Sequence, residues 1–287
     1  MPRSRSEIND QLDKNFQYNW HPFSQMKDFE SRAPLLIESA KGIMLTDANG
    51  KEYYDTFSSW WCNLHGHSHP YLIDAIQRQA KDMQHVMFGG LTHEPAIELS
   101  ERLVRLSPEG LDRVYYSDNG SSSIEIGMKL ATQYFLEHGN PGKNRFVHLE
   151  NSYHGDTLGA LALCGVPGYR DKFKTLLRDA YEIPYPKHEP GEDRAEIEAN
   201  ALAELYKVLT HNNDIAAMVI EPMLVGAGGM IMSSSAFLKE LVRTCHAHDV
   251  LVIADEVAVG FGRLGTMFAC ELAGVSPDIM CQIGRAH

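Results

Sequence analysis

The 287-residue sequence lacks any apolar run that approaches the roughly 18 residues needed to span a bilayer. Residues 1–16 contain two arginines with no apolar core after them, which is not the pattern of a secretory signal. Both absences argue against a membrane or secreted protein. We therefore expect a cytoplasmic protein with no membrane partner.

The sequence also lacks an excess of basic residues. Lys and Arg total 26 against 38 Asp and Glu, which gives a net charge of −12. Because phosphate contacts need clustered Lys and Arg, nucleic acid is not expected as a partner. Hydrophobic residues make up 44% and charged residues 22%, a composition typical of a globular chain.

Metal-ligand patterns are scarce as well. The five cysteines are widely spaced with no CxxC pair, so we expect reduced thiols rather than a disulfide framework or a zinc site. HGHSHP at 65–70 brings three histidines together, but no carboxylate or cysteine stands beside them in the sequence. A turn or packed loop is favoured over a metal site there.

What the sequence does contain is an alternation of helix and strand patterns. Residues 36–56 alternate apolar and polar with a turn at DANGKE, which predicts a hairpin. Helical spacing of apolar residues predicts helices at 69–84, 94–107, 121–139 and 237–249, and short apolar runs predict strands at 113–117, 145–150, 215–222 and 250–256. Residues 184–200 are predicted to be a surface loop that leads into a helix.

This alternation predicts an α/β fold whose sheet is mostly parallel, with helices on both faces. We divide the chain into an N-terminal segment with the hairpin at 1–65, a large domain at 66–281 and a short tail at 282–287. Ligands of such sheets gather at the carboxyl ends of the strands.

Three predicted strand ends carry polar residues. After RVYYS, the run DNGSSS places Gly120 and Ser121 at the start of a helix, where free N–H groups and the helix dipole favour an anion such as phosphate. The alternative there is an ordinary serine N-cap.

The other two strand ends carry Tyr153 and Asp255. Tyr153, in NSYHGDT, either lies against a flat ring or is a half-buried turn residue. Asp255 ends the apolar run VLVIAD, where it either caps a turn or contacts a ligand. A carboxylate close to a ring nitrogen keeps that nitrogen protonated through the adjacent opposite charge.

Two longer stretches carry a family resemblance, VIEPMLVGAGGM at 219–230 and LVIADEVAVGFGRLGTMFACE at 251–271. With the strand-end residues, they resemble the class III aminotransferases of fold-type I, which implies pyridoxal 5′-phosphate as cofactor. The resemblance implies that Gly120 and Ser121 hold the cofactor phosphate, that Tyr153 faces the ring and the substrate, and that Asp255 pairs with the pyridine nitrogen. Glu221 ends its strand beside this site, in either a functional or a structural role.

Within the family, FSSWWCNLHGHSHP at 57–70 and HVMFGGLTHEPAIELSERLV at 85–104 are similar to members that transfer an amino group from S-adenosylmethionine to 8-amino-7-oxononanoate in biotin synthesis. This implies that Trp60 lines an apolar substrate pocket; the alternative is core packing. Phe23 stands where many members carry a tyrosine, so the amino donor is in question. The competing hypotheses are an ω-aminotransferase for β-alanine, γ-aminobutyrate or a diamine, and a silent cofactor-binding protein.

The resemblance breaks off after PDIMC at 277–281. Family members continue to a Schiff-base lysine, which is expected at position 284, where Gly284 stands. We interpret residues 282–287 as a non-native tail on a truncated chain, which would lack the family's C-terminal small domain. The parent enzyme is expected to be a homodimer, and the chain as printed is expected to be an inactive fragment.

Overall fold

The computed structural model describes residues 3–283. These residues divide into two compact units, the first ending at Phe88 and the second spanning Gly89–Ile283. The division falls later in the chain than residues 65/66, because the helix that follows His69 belongs to the first unit. The function of each part stays a prediction.

The first unit combines helices with a small antiparallel sheet. Its helix α1 begins after Ser4, whose hydroxyl and backbone form a capping box with Glu7. The elements in chain order are α1 (Arg5–Tyr18), a 3-10 turn (Met26–Glu30), β1 (Ile37–Lys41), β2 (Met44–Asp47), β3 (Glu52–Tyr54), α2 (Ser58–Trp61) and α3 (Pro70–Asp82).

The predicted hairpin at 36–56 is a three-stranded meander in the order β1-β2-β3. A hairpin has a single strand in its first arm, and this part of the prediction is wrong, because Gly42 adopts a φ of +59° and turns the chain between β1 and β2. The predicted turn at DANGKE joins β2 to β3, where the Asp47 carboxylate accepts the N–H groups of Asn49 and Lys51 at 2.9 Å each.

The second unit alternates strands and helices, as the sequence pattern predicts. Its elements are α4 (Glu94–Leu106), α5 (Gly120–Glu137), β4 (Arg145–Leu149), α6 (Leu158–Ala162), a 3-10 turn (Asp171–Leu176), β5 (Tyr181–Ile183), α7 (Arg194–His211), β6 (Ile215–Ile220), β7 (Leu224–Val225), β8 (Ile231–Met232), α8 (Ser235–Ala247), β9 (Leu251–Asp255), α9 (Cys270–Ala273) and β10 (Ile279–Cys281).

Five strands form one sheet in the order β10-β9-β6-β4-β5, and each neighbouring pair is parallel. Alternate side chains of β6 enter two different core clusters. Met218 packs in the cluster that contains Leu205 of α7 and Leu241 of α8, whereas Val219 packs in the cluster that contains Ile124 of α5. Helices therefore cover both faces of a largely parallel sheet, which confirms the predicted fold class.

The predicted strand at 113–117 is wrong. These residues have no ladder partner in the part of the chain that the structure describes, and they run as irregular chain into α5. Tyr115 is exposed, and the Tyr116 hydroxyl donates to the Ala96 carbonyl of α4 at 2.9 Å. A β-like side-chain pattern makes a strand only when a neighbouring strand accepts its backbone hydrogen bonds.

Among residues 3–283, no helix has both the length and the apolar character needed to cross a membrane.

Candidate active site

The polar residues predicted at the strand ends of the second unit lie together. The loop after β4 contacts the first turn of α5, where the Asp156 N–H donates to Ser121 Oγ at 3.2 Å. The same turn approaches the residues after β9, since a Cβ added at Gly120 would lie 3.3 Å from a Val257 methyl group. The loops that follow two parallel strands therefore meet at the start of one helix.

The first turn of α5 presents backbone donors that the helix itself does not use. The helix begins at Gly120, so the N–H groups of Gly120 and Ser121 have no acceptor within the helix. Its N-cap is Asn119, whose Oδ1 accepts the Ser122 N–H at 2.9 Å. The alternative of a serine N-cap is therefore wrong, and the serines lie within the first turn, at the positive end of the helix dipole.

Gly155 makes the contact between these loops possible. Its φ is +126°, a region that side chains with a Cβ rarely adopt. A Cβ there would overlap Ser121 Oγ and stand only 2.7 Å from Ser121 Cβ. The glycine in NSYHGDT is therefore required by both conformation and space.

Tyr153 is half-buried and bound at both ends. Its backbone N–H donates to Glu221 Oε1 at 3.0 Å, and its hydroxyl donates to Asp156 Oδ2 at 2.6 Å. Burial, the Asp156 hydrogen bond and the Asp156 charge raise the pKa of Tyr153 well above its usual value. The phenol therefore keeps its proton at neutral pH, with Asp156 as its acceptor.

Asp255 ends β9 and is only 4% exposed. Its Oδ2 accepts from His154 Nδ1 at 2.7 Å, and its Oδ1 accepts the Val257 N–H at 3.1 Å. The next residue, Glu256, has a separate set of partners, the N–H groups of Ala269 and Cys270 at 2.8 Å each. Asp255 alone of this acidic pair faces the loops described above.

Glu221 lies just beyond β6 and joins two loops. Its Oε1 accepts from Tyr153, and its Oε2 accepts the Gly226 N–H at 3.0 Å. Burial raises the pKa of Glu221 to about 7; the nearby His154 opposes this rise and Asp255 adds to it. The hydrogen bonds establish a structural role for Glu221, which the sequence left open.

Phe23 and Trp60, predicted to contact substrate, lie together in the first unit. Their rings pack edge to face with centroids 5.6 Å apart, and their side chains are 69% and 64% exposed. Trp60 is thus not a core residue. Both have positive φ angles, +51° and +62°, and Trp60 belongs to a run of four such residues at 58–61. A left-handed conformation costs a residue with a Cβ about 1–2 kcal/mol.

One histidine of HGHSHP contacts a carboxylate that is distant in the sequence. His67 Nε2 lies 2.8 Å from Asp55 Oδ2, and the rings of His65 and His69 pack with centroids 6.0 Å apart. Throughout residues 3–283, no cluster of three or more His, Cys, Asp or Glu side chains has an arrangement that could hold a metal ion.

The sequence interpretation assigned no role to His154 or Asp156. Both stand in NSYHGDT beside Tyr153, and the structure gives each a partner at this site: Asp255 for His154, and Tyr153 with Ser121 for Asp156. The available signal was the run of polar side chains directly after an apolar strand. Gly284, at the position expected for lysine, lies outside the described residues.

The class-III aminotransferase family matches residues 26–286 of this sequence. The chain belongs to that family. As a class-III aminotransferase it is 42% identical over 266 residues to the adenosylmethionine-8-amino-7-oxononanoate aminotransferase of Geobacter sulfurreducens, covering 91% of this chain and 59% of the relative. It is 43% identical over 263 residues to the enzyme of that name from Synechococcus elongatus, covering 91% and 61%.

Solved structures of class-III aminotransferases share its fold, which is therefore fold-type I. The omega-transaminase of Pseudomonas jessenii, in complex with PMP, matches with a TM-score of 0.90 at 32% identity, over 96% of this chain and 62% of that one. The adenosylmethionine-8-amino-7-oxononanoate aminotransferase of Methanocaldococcus jannaschii matches with a TM-score of 0.88 at 34% identity, over 96% and 62%. The chain spans about three fifths of the length of these relatives.

Proposed function

We propose that this class-III aminotransferase uses pyridoxal 5′-phosphate to transfer an amino group from S-adenosylmethionine to 8-amino-7-oxononanoate. The observation that carries the cofactor is that the chain directly after the buried Asp255 packs on the first turn of α5, where Val257 lies against Gly120. The substrates follow from the names of the relatives that are about 40% identical to the chain. When bound, the cofactor supplies an electron-withdrawing ring for carbanion chemistry.

The described residues fit this cofactor. The first turn of α5 offers free N–H groups and the Ser121 hydroxyl, which suit a phosphate dianion. The buried Asp255 carboxylate suits a protonated ring nitrogen, because an adjacent opposite charge favours the protonated form. A phosphate group and a cationic ring nitrogen are the two charged parts of pyridoxal phosphate.

We assign four residues to the cofactor on this basis. Gly120 and Ser121 hold the phosphate through N–H groups and a hydroxyl. Asp255 holds the proton at the ring nitrogen. Tyr153 lies against the ring, with its hydroxyl held by Asp156, and it faces the substrate.

Phe23 and Trp60 are proposed to line the substrate pocket. Strained backbone accumulates at functional sites, and both residues have positive φ angles with exposed aromatic rings. Apolar rings suit the methylene chain of a nonanoate, since each methylene gains about 0.8 kcal/mol on leaving water. Because Phe23 lacks a phenolic hydroxyl, side chains other than Phe23 must bind the polar part of the amino donor.

We propose that the proton transfer of the reaction requires a lysine at position 284, which would act as general base and acid. The printed sequence has Gly284 there. We therefore expect the printed chain to bind the cofactor without turnover. Borohydride reduction in the presence of pyridoxal phosphate should leave no specific lysine adduct, and a single stoichiometric adduct would contradict this assignment.

The cofactor proposal is tested by equilibrium dialysis with pyridoxamine 5′-phosphate, which has no aldehyde to react with surface lysines. We expect saturable binding to the wild-type chain that Asp255→Asn weakens about tenfold or more, since a hydrogen bond to a charged group contributes about 1.5–3 kcal/mol. The exposed Asp179→Asn is the charge-matched control and should bind as the wild type does. Absence of saturable binding to the wild type would refute the proposal.

The amino donor is tested by adding amines to the chain loaded with pyridoxal phosphate and recording its absorption spectrum. S-adenosylmethionine should change the spectrum at lower concentration than β-alanine does. The reverse order would favour an ω-aminotransferase. A bound cofactor whose spectrum responds to no amine would favour the silent cofactor-binding protein.

The resemblance also implies a homodimer that works in the cytoplasm. All five cysteines are free thiols, as is usual for proteins of a reducing compartment. Sedimentation equilibrium of the full-length parent enzyme checks the oligomeric state, for which we expect twice the mass of one subunit.

A further inference from the structure

The turn at 58–61 holds four consecutive residues in a left-handed conformation. Their φ angles are +48°, +48°, +62° and +66° in chain order, and none of them is a glycine. Residues with a Cβ rarely adopt this conformation, because the Cβ crowds the following carbonyl oxygen. It persists only where contacts from the surrounding structure hold it. The contacts of this turn therefore decide where the Trp60 ring stands.

Asp55 makes three hydrogen bonds to this turn. Its Oδ1 accepts the Ser59 N–H at 3.0 Å, its Oδ2 accepts from Ser59 Oγ at 2.8 Å, and its backbone carbonyl accepts the Ser58 N–H at 3.2 Å. The N–H of Asp55 itself donates to the Ile43 carbonyl at 2.8 Å, at the start of β2. Asp55 thus ties the residue directly before Trp60 to the small antiparallel sheet.

His67 donates a further hydrogen bond to the Asp55 carboxylate, with 2.8 Å between its Nε2 and Oδ2. The Ser59 N–H, together with the side chains of His67 and Ser59, lowers the pKa of Asp55 and outweighs the opposite effect of burial. Because an ionised carboxylate only accepts, the proton of this hydrogen bond is carried by His67 Nε2. The side chains of Asp55 and His67 are only 8% and 17% exposed, so little water competes for the contact.

The backbone of His67 is fixed by the same sheet. Its N–H donates to the Gly42 carbonyl at 2.8 Å, and its carbonyl accepts the Gly42 N–H at 3.0 Å. Gly66 packs closely on the same place, since a Cβ there would stand 3.0 Å from Gly42 Cα. His67 cannot move away from Asp55 unless this pairing opens. The HGHSHP motif therefore connects the turn between β1 and β2 with the turn that carries Trp60.

We propose that Asp55 and His67 are positioning residues for the substrate: Asp55 holds the turn at 58–61 in the conformation that presents the Trp60 ring, and His67 holds the Asp55 carboxylate. This inference rests on the proposed function, because it needs Trp60 to line the substrate pocket. Neither residue touches the substrate in this scheme. Both act through the Trp60 ring, which packs edge to face on Phe23.

The experiment follows the Trp60 ring by ¹⁹F NMR. The chain contains three tryptophans, so labelling with 5-fluorotryptophan gives few resonances. The Trp60 resonance is the one that disappears in Trp60→Phe. Each protein is loaded with pyridoxamine 5′-phosphate and titrated with 8-amino-7-oxononanoate, and the melting temperature is measured on the same samples.

Four variants separate the contacts. Asp55→Ala removes the carboxylate that Ser59 binds, and His67→Leu removes the donor to that carboxylate. His67→Gln is the conservative variant, because its amide nitrogen reaches close to the position of the imidazole Nε2. His65→Leu is the matched control from the same motif, since His65 is exposed and packs on the His69 ring rather than on Asp55.

We expect Asp55→Ala and His67→Leu to shift the Trp60 resonance before substrate is added, because the ring leaves its place beside Phe23. Both should weaken binding of 8-amino-7-oxononanoate about tenfold, the effect of leaving about two methylenes of the substrate in water. His67→Gln should recover most of both properties, and His65→Leu should change neither. A purely structural role would lower the melting temperature but keep the wild-type resonance and affinity in the folded protein.

The outcomes separate this inference from the proposed function. Failure of the wild type to bind pyridoxamine 5′-phosphate, or of its Trp60 resonance to respond to 8-amino-7-oxononanoate, would refute the proposed function and this inference with it. A wild-type response, with resonance and affinity unchanged in both Asp55→Ala and His67→Leu, would refute the positioning role alone. If Asp55→Ala does not fold, the two His67 variants decide: recovery in His67→Gln supports the role, and equal effects of His67→Gln and His67→Leu contradict it.

Discussion

Glu221 should make the stability of the protein depend on pH. Burial raises its pKa from 4.5 to about 7. Between these values the folded state binds more protons at Glu221 than the unfolded state does, so the free energy of unfolding must fall as pH rises. At about 1.4 kcal/mol per pKa unit, the full effect is about 3 kcal/mol, reached above pH 7.

The variant Glu221→Gln removes this titration. Its amide oxygen can accept from only one of the two N–H groups that Glu221 binds, those of Tyr153 and Gly226, and its NH₂ group faces the other. This mismatch costs about 1–3 kcal/mol and does not change with pH. We expect the variant to be less stable than the wild type at pH 5 and to lose that disadvantage by pH 8.

Urea unfolding of both proteins at several pH values from 5 to 8 measures the effect. The difference in the free energy of unfolding should move by about 2.5 kcal/mol in favour of Glu221→Gln across this range, since the rest of the effect lies below pH 5. Glu137→Gln, an exposed substitution, controls for the change in net charge. Parallel stability curves for wild type and Glu221→Gln would refute the reasoning, as would a ¹³C-NMR titration of the Glu221 carboxyl group with its midpoint near 4.5.

Two further predictions concern the packing of the second unit and the reactivity of the thiols. Gly155→Ala should destabilise the protein by about 1–3 kcal/mol more than Gly139→Ala in thermal or urea unfolding, because both glycines have positive φ but only Gly155 lacks space for a Cβ; equal losses would contradict the clash. In the native chain, a thiol reagent such as dithionitrobenzoate should label Cys62 first, since the other four cysteines are buried, and burial raises their thiol pKa values. Rapid labelling that survives in Cys62→Ser would contradict this order.

The parallel sheet was predictable because its signal is local. Each of β4, β6 and β9 is a short apolar run buried between two helical layers. Such a run can be identified as a buried strand from its own residues, without knowledge of what it packs against. Asp255 was predictable for the same reason, because a carboxylate directly after such a run must stand at a strand end.

The contacts of His154 were not predictable, because they depend on tertiary structure. His154 and Asp255 are 101 positions apart, and Tyr153 and Glu221 are 68 apart. Nothing in either local stretch specifies that partner. The prediction of a strand at 113–117 was wrong for a related reason, since strand pairing depends on whether a neighbouring strand lies beside the segment in the fold.

The acidic pair at the end of β9 limits how this site can be redesigned. Asp255 and Glu256 are neighbours in sequence, yet one binds His154 and Val257 while the other holds the N–H groups at the start of α9. In a library that randomises both positions to alter cofactor binding, some variants would lose cofactor binding and others would lose the fold, and the two could not be told apart. Selection at position 255 can report on the cofactor only while Glu256 is left as it is.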